Sequence, residues 1–297
     1  MKDPRPPKTG QEELPAVVAA VAELCNRTTP RTTLPSLDSL EHARESLVQR
    51  LPSTGVGLER TIQHLRDEVV PGLNAASQSP NYYGFVTGGA TPAAALADNI
   101  VTAYDQNVQV HLPNETVATD VEDRALTLLC ELLDLDSARW PHRTFTTGAT
   151  ASNIIGLACA REYIIARAAE RTSLSGVSIG EHGLLAATRL AGIDSIQILT
   201  TVPHSSLGKA ASLIGLGRAA VKLVGLEVAP HRFSMEKLRK ALESPRTASI
   251  VAISCAEVNT GRFATSGYDE MQQIRKLCDL HGAWIHVDGG ERHFKLP

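Results

Sequence analysis

Short apolar runs rich in β-branched residues alternate, from residue 143 to residue 287, with segments whose apolar positions recur at helical spacing. The runs predict five β-strands, over 143–147, 195–199, 220–224, 249–254 and 284–287. The segments between them predict four helices, over 151–168, 206–214, 234–242 and 268–281. Repeated strand–helix–strand order is typical of a mostly parallel sheet with helices on both faces, so we predict an α/β fold. Ligands of such sheets bind beyond the carboxyl ends of the strands.

The first third of the chain is predicted to be helical. Residues 1–36 place one apolar stretch, Leu14 to Leu24, between Pro- and Thr-rich spacers, which indicates an arm. Helical spacing predicts two helices within 39–73, a third over 93–104 and a fourth over 115–133. Thr91 and Pro92 provide an N-cap and a first-turn proline for the third of these. We therefore predict an arm and helical segment at 1–104, followed by a ligand-binding domain at 105–297.

Composition narrows the class of protein. The chain has 297 residues, of which 43% are hydrophobic and 21% charged, with a net charge of -3 and no basic block. This balance is typical of a globular protein and disfavours a nucleic-acid-binding surface. The polar start of the chain and the absence of a long apolar run argue against a signal peptide and a membrane anchor. Five cysteines without close spacing fit a reducing compartment, so we expect a cytoplasmic protein.

The segment FTTGATASN, Phe145 to Asn153, combines small residues and hydroxyls where a β-like run ends and a helix begins. Small residues let backbone N–H groups approach an oxyanion, and a helix N-terminus adds partial positive charge. The segment therefore suits a phosphate group. Helices also start with Gly, Thr and Ser simply to cap themselves, so the segment alone leaves both interpretations open.

A second segment, WIHVDGG, delivers Asp288 at the end of an apolar strand, beside two glycines that leave room for a flat ligand. An acid there could pair with a protonated ring nitrogen, or it could be a turn aspartate. A metal site built from His281, His286, Asp288 and His293 is less favoured. His286 and Asp288 share one predicted strand, but the other two histidines lie on different elements, so no fixed ligand geometry follows.

A third segment, PHSSLGKAASLIG, places His204 after a predicted strand and just before a predicted helix. An imidazole there could stack on an aromatic cofactor or exchange protons near neutral pH. It could also be a capping group. All three segments fall at predicted carboxyl ends of strands, where one shared site would lie.

Five segments together resemble one family. They are GFVTGGATPAA (Gly84 to Ala94), TGATASN, PHSSLGKAA, EVNTG (Glu257 to Gly261) and WIHVDGG. In this order and at these intervals they are similar to the pyridoxal 5'-phosphate (PLP)-dependent group II amino-acid decarboxylases, which include the aromatic-amino-acid and glutamate decarboxylases. The resemblance covers about residues 39 to 290. It implies the PLP fold type I, the aspartate-aminotransferase-type large domain, a homodimer with the active site at its interface, and an amino-acid substrate.

The resemblance also implies a role for each matching residue. Ala149 and Thr150 match the phosphate cradle, with Gly148 in the turn before them. His204 matches the histidine that stacks on the pyridine ring, and Asp288 matches the acid that keeps the ring nitrogen protonated. Two further groups match with less definite roles: Asn259 and Thr260 in a loop that borders the cofactor, and Gly84, Phe85 and Thr87 in the substrate-pocket loop. No metal ligand is implied, and the sequence does not select one amino acid.

The sequence departs from the family after Asp288. The family's Schiff-base lysine follows that strand by some tens of residues in an HK dipeptide, whereas this sequence ends at Pro297, and Lys295 is too close to the aspartate for that role. We therefore expect a large domain that is incomplete at the C-terminus, with impaired carboxy-lyase turnover. The alternative is a non-catalytic decarboxylase-like chain that binds the cofactor weakly or pairs with an intact subunit.

Other enzyme classes fit less well. Gly215-Leu216-Gly217 with Ala220 mimics a nicotinamide-binding fingerprint, but that pattern requires a strand before it and a helix after it. Here the predicted order is the reverse. The sequence contains no nucleophile elbow and no P-loop. Aldehyde-lyase and aminotransferase chemistry on the same cofactor stay open, because one fold can present different substrate bonds to the same ring.

Overall fold

A computed structural model describes residues 10–25, 33–76, 79, 89–106, 108–257 and 260–290. Residue contacts divide the chain into two units, residues 1–125 and 126–297. Within the described residues, no helix combines the length and the apolar character needed to cross a bilayer.

The first unit is helical; its helices after residue 36 were predicted, whereas α1 (Gly10–Cys25) lies in the segment predicted as an arm. The other helices are α2 (Leu37–Ser46), α3 (Leu58–His64) and α4 (Pro92–Tyr104). A π-helical turn, Leu65–Val69, and a 3₁₀ turn, Val70–Gly72, extend α3. The Thr91 hydroxyl accepts a hydrogen bond from the backbone N–H of Ala94 (3.3 Å), so the predicted N-cap of α4 is confirmed.

Helix α5 (Ala118–Leu132) crosses the boundary between the units, and the second unit contains the remaining elements. In chain order they are α6 (Ala149–Arg171), α7 (Ile179–Leu190), β1 (Ser195–Thr200), α8 (Ser205–Leu213), β2 (Val221–Leu223), α9 (Met235–Leu242), β3 (Thr247–Ser254), α10 (Tyr268–His281) and β4 (Trp284–Asp288). The four strands form one parallel sheet in the order β2-β1-β3-β4. The predicted parallel α/β sheet is therefore confirmed.

Helices cover both faces of the sheet because side chains along a strand alternate between its two faces. On β3, Ile250 and Ala252 pack with α6, α7 and α8 in one apolar core. Val251 and Ile253 pack with α9 and α10 in a second core on the other face. The sheet is thus fixed from both sides, which holds the carboxyl ends of β3 and β4 in register, with Ser254 opposite Asp288.

One local prediction was wrong, and one helix was not predicted. Residues 143–147 form no strand: this segment runs without regular structure into α6, and no strand in the described part of the chain pairs with it. A β-rich run becomes a strand only when a neighbour supplies ladder hydrogen bonds. Helix α7 was not predicted, although the Ser178 hydroxyl caps it by accepting from the backbone N–H of Glu181 (3.2 Å).

Candidate functional site

The candidate site lies at the carboxyl edge of the parallel sheet. Asp288 is the last residue of β4, and His204 follows β1 and precedes α8. Parallel strands end at the same edge, so residues that directly follow them in the chain can meet there. The N-terminus of α6 reaches the same place, because Ala149 at its first turn approaches Gly290 just beyond β4.

Residues from these elements line one small cavity. Its volume is about 40 Å³, and its wall contains three of the residues predicted for the cofactor, Ala149, His204 and Asp288. The described residues that line it are Ala149, His204, Ser206, Ser254, Ala256, Glu257, Asp288 and Gly290. Sequence segments that are more than 130 residues apart therefore contribute side chains to one space.

The remaining predicted residues lie around this cavity or outside the described chain. Gly148 precedes α6 with a φ of 152°, a backbone conformation that favours glycine. Thr150 is exposed in the first turn of α6 and is not part of the cavity wall. Thr260 donates hydrogen bonds to Glu257, which is one of the residues in the cavity wall. Four predicted residues, Asn259, Gly84, Phe85 and Thr87, lie outside the described residues.

The N-terminus of α6 supplies positive electrostatic potential. Gly148 at the N-cap has no side chain to accept a hydrogen bond from the first-turn N–H groups. The helix is 23 residues long, and its dipole places partial positive charge at this end, beside Ala149. An anionic group in the cavity would meet backbone donors there.

Gly290 allows the loop after β4 to approach α6 closely. A Cβ atom on Gly290 would lie 2.8 Å from the Cβ of Ala149, closer than two carbon atoms pack. The glycine therefore keeps the cavity wall compact between Asp288 and the helix N-terminus. The sequence assigned this glycine to the space for a flat ligand, and in the structure it forms part of the cavity wall.

Asp288 is held by an amide from α6. Asn153 Nδ2 donates to Asp288 Oδ2 over 3.1 Å, and Asn153 is only 2% exposed. The Asn153 carbonyl oxygen lies 2.8 Å from His286 Nε2, which therefore carries a proton and donates to it. His286 and Asp288 are two residues apart on β4, so both side chains point to the face that α6 covers.

His204 is a capping residue as well as a cavity residue. Its Nδ1 accepts a hydrogen bond from the backbone N–H of Ser206 (3.3 Å) at the start of α8. The Ser206 hydroxyl lies 2.9 Å from the same nitrogen and 3.1 Å from Asn153 Nδ2. An acceptor nitrogen carries no proton, so the neutral ring is protonated at Nε2.

Burial sets the charge state of His286. Desolvation lowers the pKa of this imidazole below its ordinary value, and the negative charge of Asp288 opposes that shift only in part. The ring is therefore neutral at neutral pH. It serves as a hydrogen-bond donor to Asn153 without adding a positive charge beside Asp288.

Sequence reasoning did not assign roles to three residues of this region. Asn153 and Ser206 stand inside the quoted segments, but their contacts depend on how α6 packs against β4 and α8. Glu257 opens the quoted segment EVNTG, is buried, and lines the cavity. Its carboxylate accepts hydrogen bonds from the Thr260 backbone N–H (3.1 Å) and hydroxyl (3.0 Å).

The alternative sites receive less support from the geometry. The glycines at 215 and 217 follow α8 and precede a three-residue 3₁₀ turn (Arg218–Ala220) and β2, which is not the strand–glycine loop–helix order of a dinucleotide-binding site. His286 donates to Asn153, and His281 ends α10. Among the described residues, no group of three or more His, Cys, Asp or Glu side chains is arranged to hold a metal ion.

A larger cavity of about 420 Å³ lies along β4, with Trp140, Tyr163 and Trp284 in its wall. Its described lining includes Arg275 and His286 but no carboxylate that could pair with a ring nitrogen. The smaller cavity therefore suits a phosphate-bearing ring with a protonated nitrogen better than the larger one does, because it combines a carboxylate with a helix N-terminus.

The small cavity fits PLP in chemistry and is tight in volume. Asp288 offers a carboxylate to a cationic ring nitrogen, and α6 offers N–H donors to a phosphate. Its volume of about 40 Å³ is close to the space of one water molecule. Side chains in the cavity wall must therefore move when the cofactor enters.

Comparison with known proteins agrees with this chemistry. A family model described as pyridoxal-dependent decarboxylase conserved domain matches residues 41–290. The L-tyrosine/L-DOPA decarboxylase 2 of Lophophora williamsii is 24% identical over 251 residues, which are 83% of this chain and 44% of that protein. The chain thus spans about half the length of the curated relatives it matches.

Solved structures confirm the predicted aspartate-aminotransferase-type fold. The glutamate decarboxylase domain of diaminobutyrate-pyruvate transaminase and L-2,4-diaminobutyrate decarboxylase from Vibrio parahaemolyticus matches with a TM-score of 0.71 and 21% identity. This match covers 97% of the present chain and 59% of the other. Oryza sativa TDC with PLP and tryptamine matches with a TM-score of 0.65 and 20% identity, covering 97% and 58% of the two chains.

The lowered pKa of His286 predicts how stability depends on pH. The unfolded chain takes up a proton at this residue near pH ~6.5 while the folded chain resists it, so the free energy of unfolding falls as the pH drops below that value. The contribution has a slope of at most about 1.4 kcal/mol per pH unit. His286→Gln removes it, and replacement of the exposed His142 by Gln is the control. Urea unfolding at several pH values measures the slopes, and equal slopes for the wild type and His286→Gln would contradict the assignment.

Proposed function

The chain belongs to the pyridoxal-dependent decarboxylase family, and we propose that it binds PLP in the cavity between Ala149, His204 and Asp288. We propose further that the protein decarboxylates an amino acid, releasing CO₂ and the corresponding amine. The observation that supports this proposal best is the shared cavity itself. A helix N-terminus, an imidazole and a carboxylate converge there, and each suits a different part of the cofactor.

The N-terminus of α6 is proposed to hold the phosphate. Its first-turn N–H groups are free of a side-chain cap at Gly148, and the helix dipole favours an anion beside them. Ala149 lets the backbone come close because its side chain is small. Thr150, in the same turn, is proposed to add a hydroxyl donor, as the family resemblance implies.

Asp288 is proposed to pair with the ring nitrogen and keep it protonated. The carboxylate is already oriented by Asn153, which leaves its remaining oxygen lone pairs for a ligand. The bound pyridinium ring supplies an electron sink for the bond that breaks when CO₂ leaves. The role of Asp288 is therefore electrostatic, because a nearby negative charge favours the protonated nitrogen.

His204 is proposed to lie against the ring and to face the substrate. Its Nδ1 is engaged by Ser206, so Nε2 is the nitrogen that can donate a proton or a hydrogen bond in the cavity. Asn259 and Thr260 are proposed to border the cofactor. Gly84, Phe85 and Thr87 are proposed to contact the substrate, on sequence resemblance alone.

The contacts proposed here are noncovalent. The 297 residues contain eight lysines, none of which stands in the HK dipeptide that the resemblance implies. The phosphate and ring-nitrogen contacts are the ones that the affinity test below examines. The same contacts would also operate in a non-catalytic chain.

A product assay tests the reaction. The purified chain is mixed with PLP and, one at a time, with L-tyrosine, L-DOPA and L-2,4-diaminobutyrate, and CO₂, amine and keto acid are measured. Equal amounts of CO₂ and amine are the expected result for at least one substrate. Keto acid in place of amine would replace the proposed decarboxylation by aminotransferase chemistry. Cofactor binding without any product would favour the non-catalytic alternative over the enzyme.

Replacing Asp288 tests the ring-nitrogen contact. Asp288→Asn keeps an oxygen that can accept from Asn153 and removes the negative charge. We expect the affinity for PLP, measured by equilibrium dialysis, to fall by about one to two orders of magnitude, the usual effect of losing a charged hydrogen-bond partner. Asp269→Asn, an exposed acid in the first turn of α10, is the control. Unchanged affinity in Asp288→Asn would exclude this carboxylate from the cofactor site.

A homodimer is proposed through α4. None of the residues of this helix is buried, and its apolar side chains Leu96, Ile100 and Tyr104 share one face with exposures of 64%, 50% and 73%. Apolar faces of this kind are commonly covered by a partner. A second copy of the chain is the occupant that the family resemblance implies.

Sedimentation velocity tests the dimer. The wild type is expected to sediment as a dimer and Ile100→Glu as a monomer, because a charge on the apolar face must be desolvated on association. Thr102→Glu, on the other side of α4, should behave as the wild type. A monomeric wild type, or a dimeric Ile100→Glu, would show that α4 is not the interface.

A further inference from the structure

Asn153 occupies the point where the two proposed cofactor residues, Asp288 and His204, are connected. Its side chain contacts Asp288 directly and His204 through Ser206. Asn153 is not in the wall of the cavity. We propose that Asn153 is a positioning residue, locked by His286, that orients the Asp288 carboxylate and fixes the tautomer of His204. The inference rests on the proposed function for its effect on cofactor binding.

The contacts determine which way the Asn153 amide points. The end of the amide that lies 3.1 Å from Asp288 Oδ2 has to be the NH₂ group, because two oxygens without a proton between them would repel each other. The other end is then the carbonyl oxygen, and it faces His286 Nε2 at 2.8 Å. That nitrogen donates, so the carbonyl oxygen is satisfied although the residue is buried.

His286 can hold the Asn153 amide in place because helix α6 packs tightly against the His286 ring. A Cβ atom on Gly156 of α6 would lie 2.7 Å from His286 Cε1, so the ring packs directly against the helix backbone. Asn153 and Gly156 are three residues apart and therefore lie on the same face of α6. One turn of this helix thus supplies both the amide and the space for the ring that holds it.

The second NH₂ proton of Asn153 sets the direction of the Ser206 hydroxyl. Ser206 Oγ accepts from Asn153 over 3.1 Å, so its own proton is free to point to His204 Nδ1 at 2.9 Å. The backbone N–H of Ser206 donates to the same nitrogen. Both donors require Nδ1 to be unprotonated, which leaves the ring proton on Nε2.

The chain of hydrogen bonds runs in one direction, from His286 to Asn153 and from there to Asp288 and, through Ser206, to His204. Asn153 and Ser206 are each 2% exposed and His286 is 9% exposed, so the inner part of this network is shielded from water, whereas His204 at its outer end is exposed. Removing one link leaves a buried polar group without its partner, which is costly in a site of this kind. We therefore expect a change at His286 to be detected at both Asp288 and His204.

Nitrogen NMR of the cofactor-free chain tests the link to His204. With ¹⁵N-labelled histidine, and His204 assigned through His204→Gln, the wild type should show a pyridine-type Nδ1 and a protonated Nε2. Asn153→Ala and Ser206→Ala should each shift the Nδ1 signal toward a mixture of tautomers. Ser152→Ala, whose hydroxyl bonds to Thr146, should leave it unchanged. A His204 spectrum that is the same in Asn153→Ala and the wild type would overturn the proposal.

Cofactor affinity tests the link to Asp288 and separates positioning from packing. His286→Leu fills the space without a donor and should weaken PLP binding, measured by equilibrium dialysis, by about tenfold. His286→Gln keeps an N–H donor for Asn153 and should bind within about twofold of the wild type. Equal weakening in both variants would show that His286 acts through packing only and would overturn the lock.

The two measurements also separate this proposal from the proposed function. Failure of the wild type to bind PLP would overturn the cofactor assignment, while the NMR result on the cofactor-free chain would still decide the hydrogen-bond network. Far-UV circular dichroism identifies any variant that does not fold. Ser206→Ala removes a single oxygen atom and so gives a second, milder variant for the same test.

Discussion

The hydrogen bond from Asn153 to Asp288 joins parts of the chain that lie 135 residues apart. Helical spacing places Asn153 and Gly156 on the face of α6 that packs against the sheet. The alternation of side chains along a strand places His286 and Asp288 on the face of β4 that α6 covers. The backbone N–H of Gly290 lies 3.5 Å from the other carboxylate oxygen of Asp288, so the bond from Asn153 (3.1 Å) is the shorter of the two that hold this group. Because the amide holds it, the negative charge has a fixed direction relative to the N-terminus of α6.

The two cores explain why this arrangement is maintained. Apolar side chains of β3 alternate between a core with α6, α7 and α8 and a core with α9 and α10. The polar network lies at the end of the first core, where helix and strand are already packed closely. Asn153 lies outside the cavity wall, so its bond to Asp288 can persist while side chains of the wall make room for a ligand. A carboxylate held in this way contributes to the preorganisation that electrostatic stabilisation in active sites requires.

Regular elements in the second unit could be predicted from the sequence because their signals are local. The helix over 268–281 has the predicted bounds, and strands over 195–199, 249–254 and 284–287 lie within β1, β3 and β4. The segment 143–147 has equally β-rich composition and forms no strand, because strand formation depends on a neighbour and not on composition alone. The network around Asn153 could not be predicted, since it depends on the register of α6 against β4 and α8. His204 shows the same limit: the structure confirms it as the cap of α8 and places it in the cavity wall, while its stacking on a cofactor stays a prediction.

A crystal structure of the chain grown with PLP is the most direct test of the central claim. We expect the ring nitrogen within hydrogen-bond distance of Asp288, with the phosphate against the first turn of α6 and His204 beside the ring. We also expect Asn153 to keep its bond to Asp288. Cofactor density in the larger cavity beside Trp140 and Trp284, with Asp288 facing solvent, would contradict it.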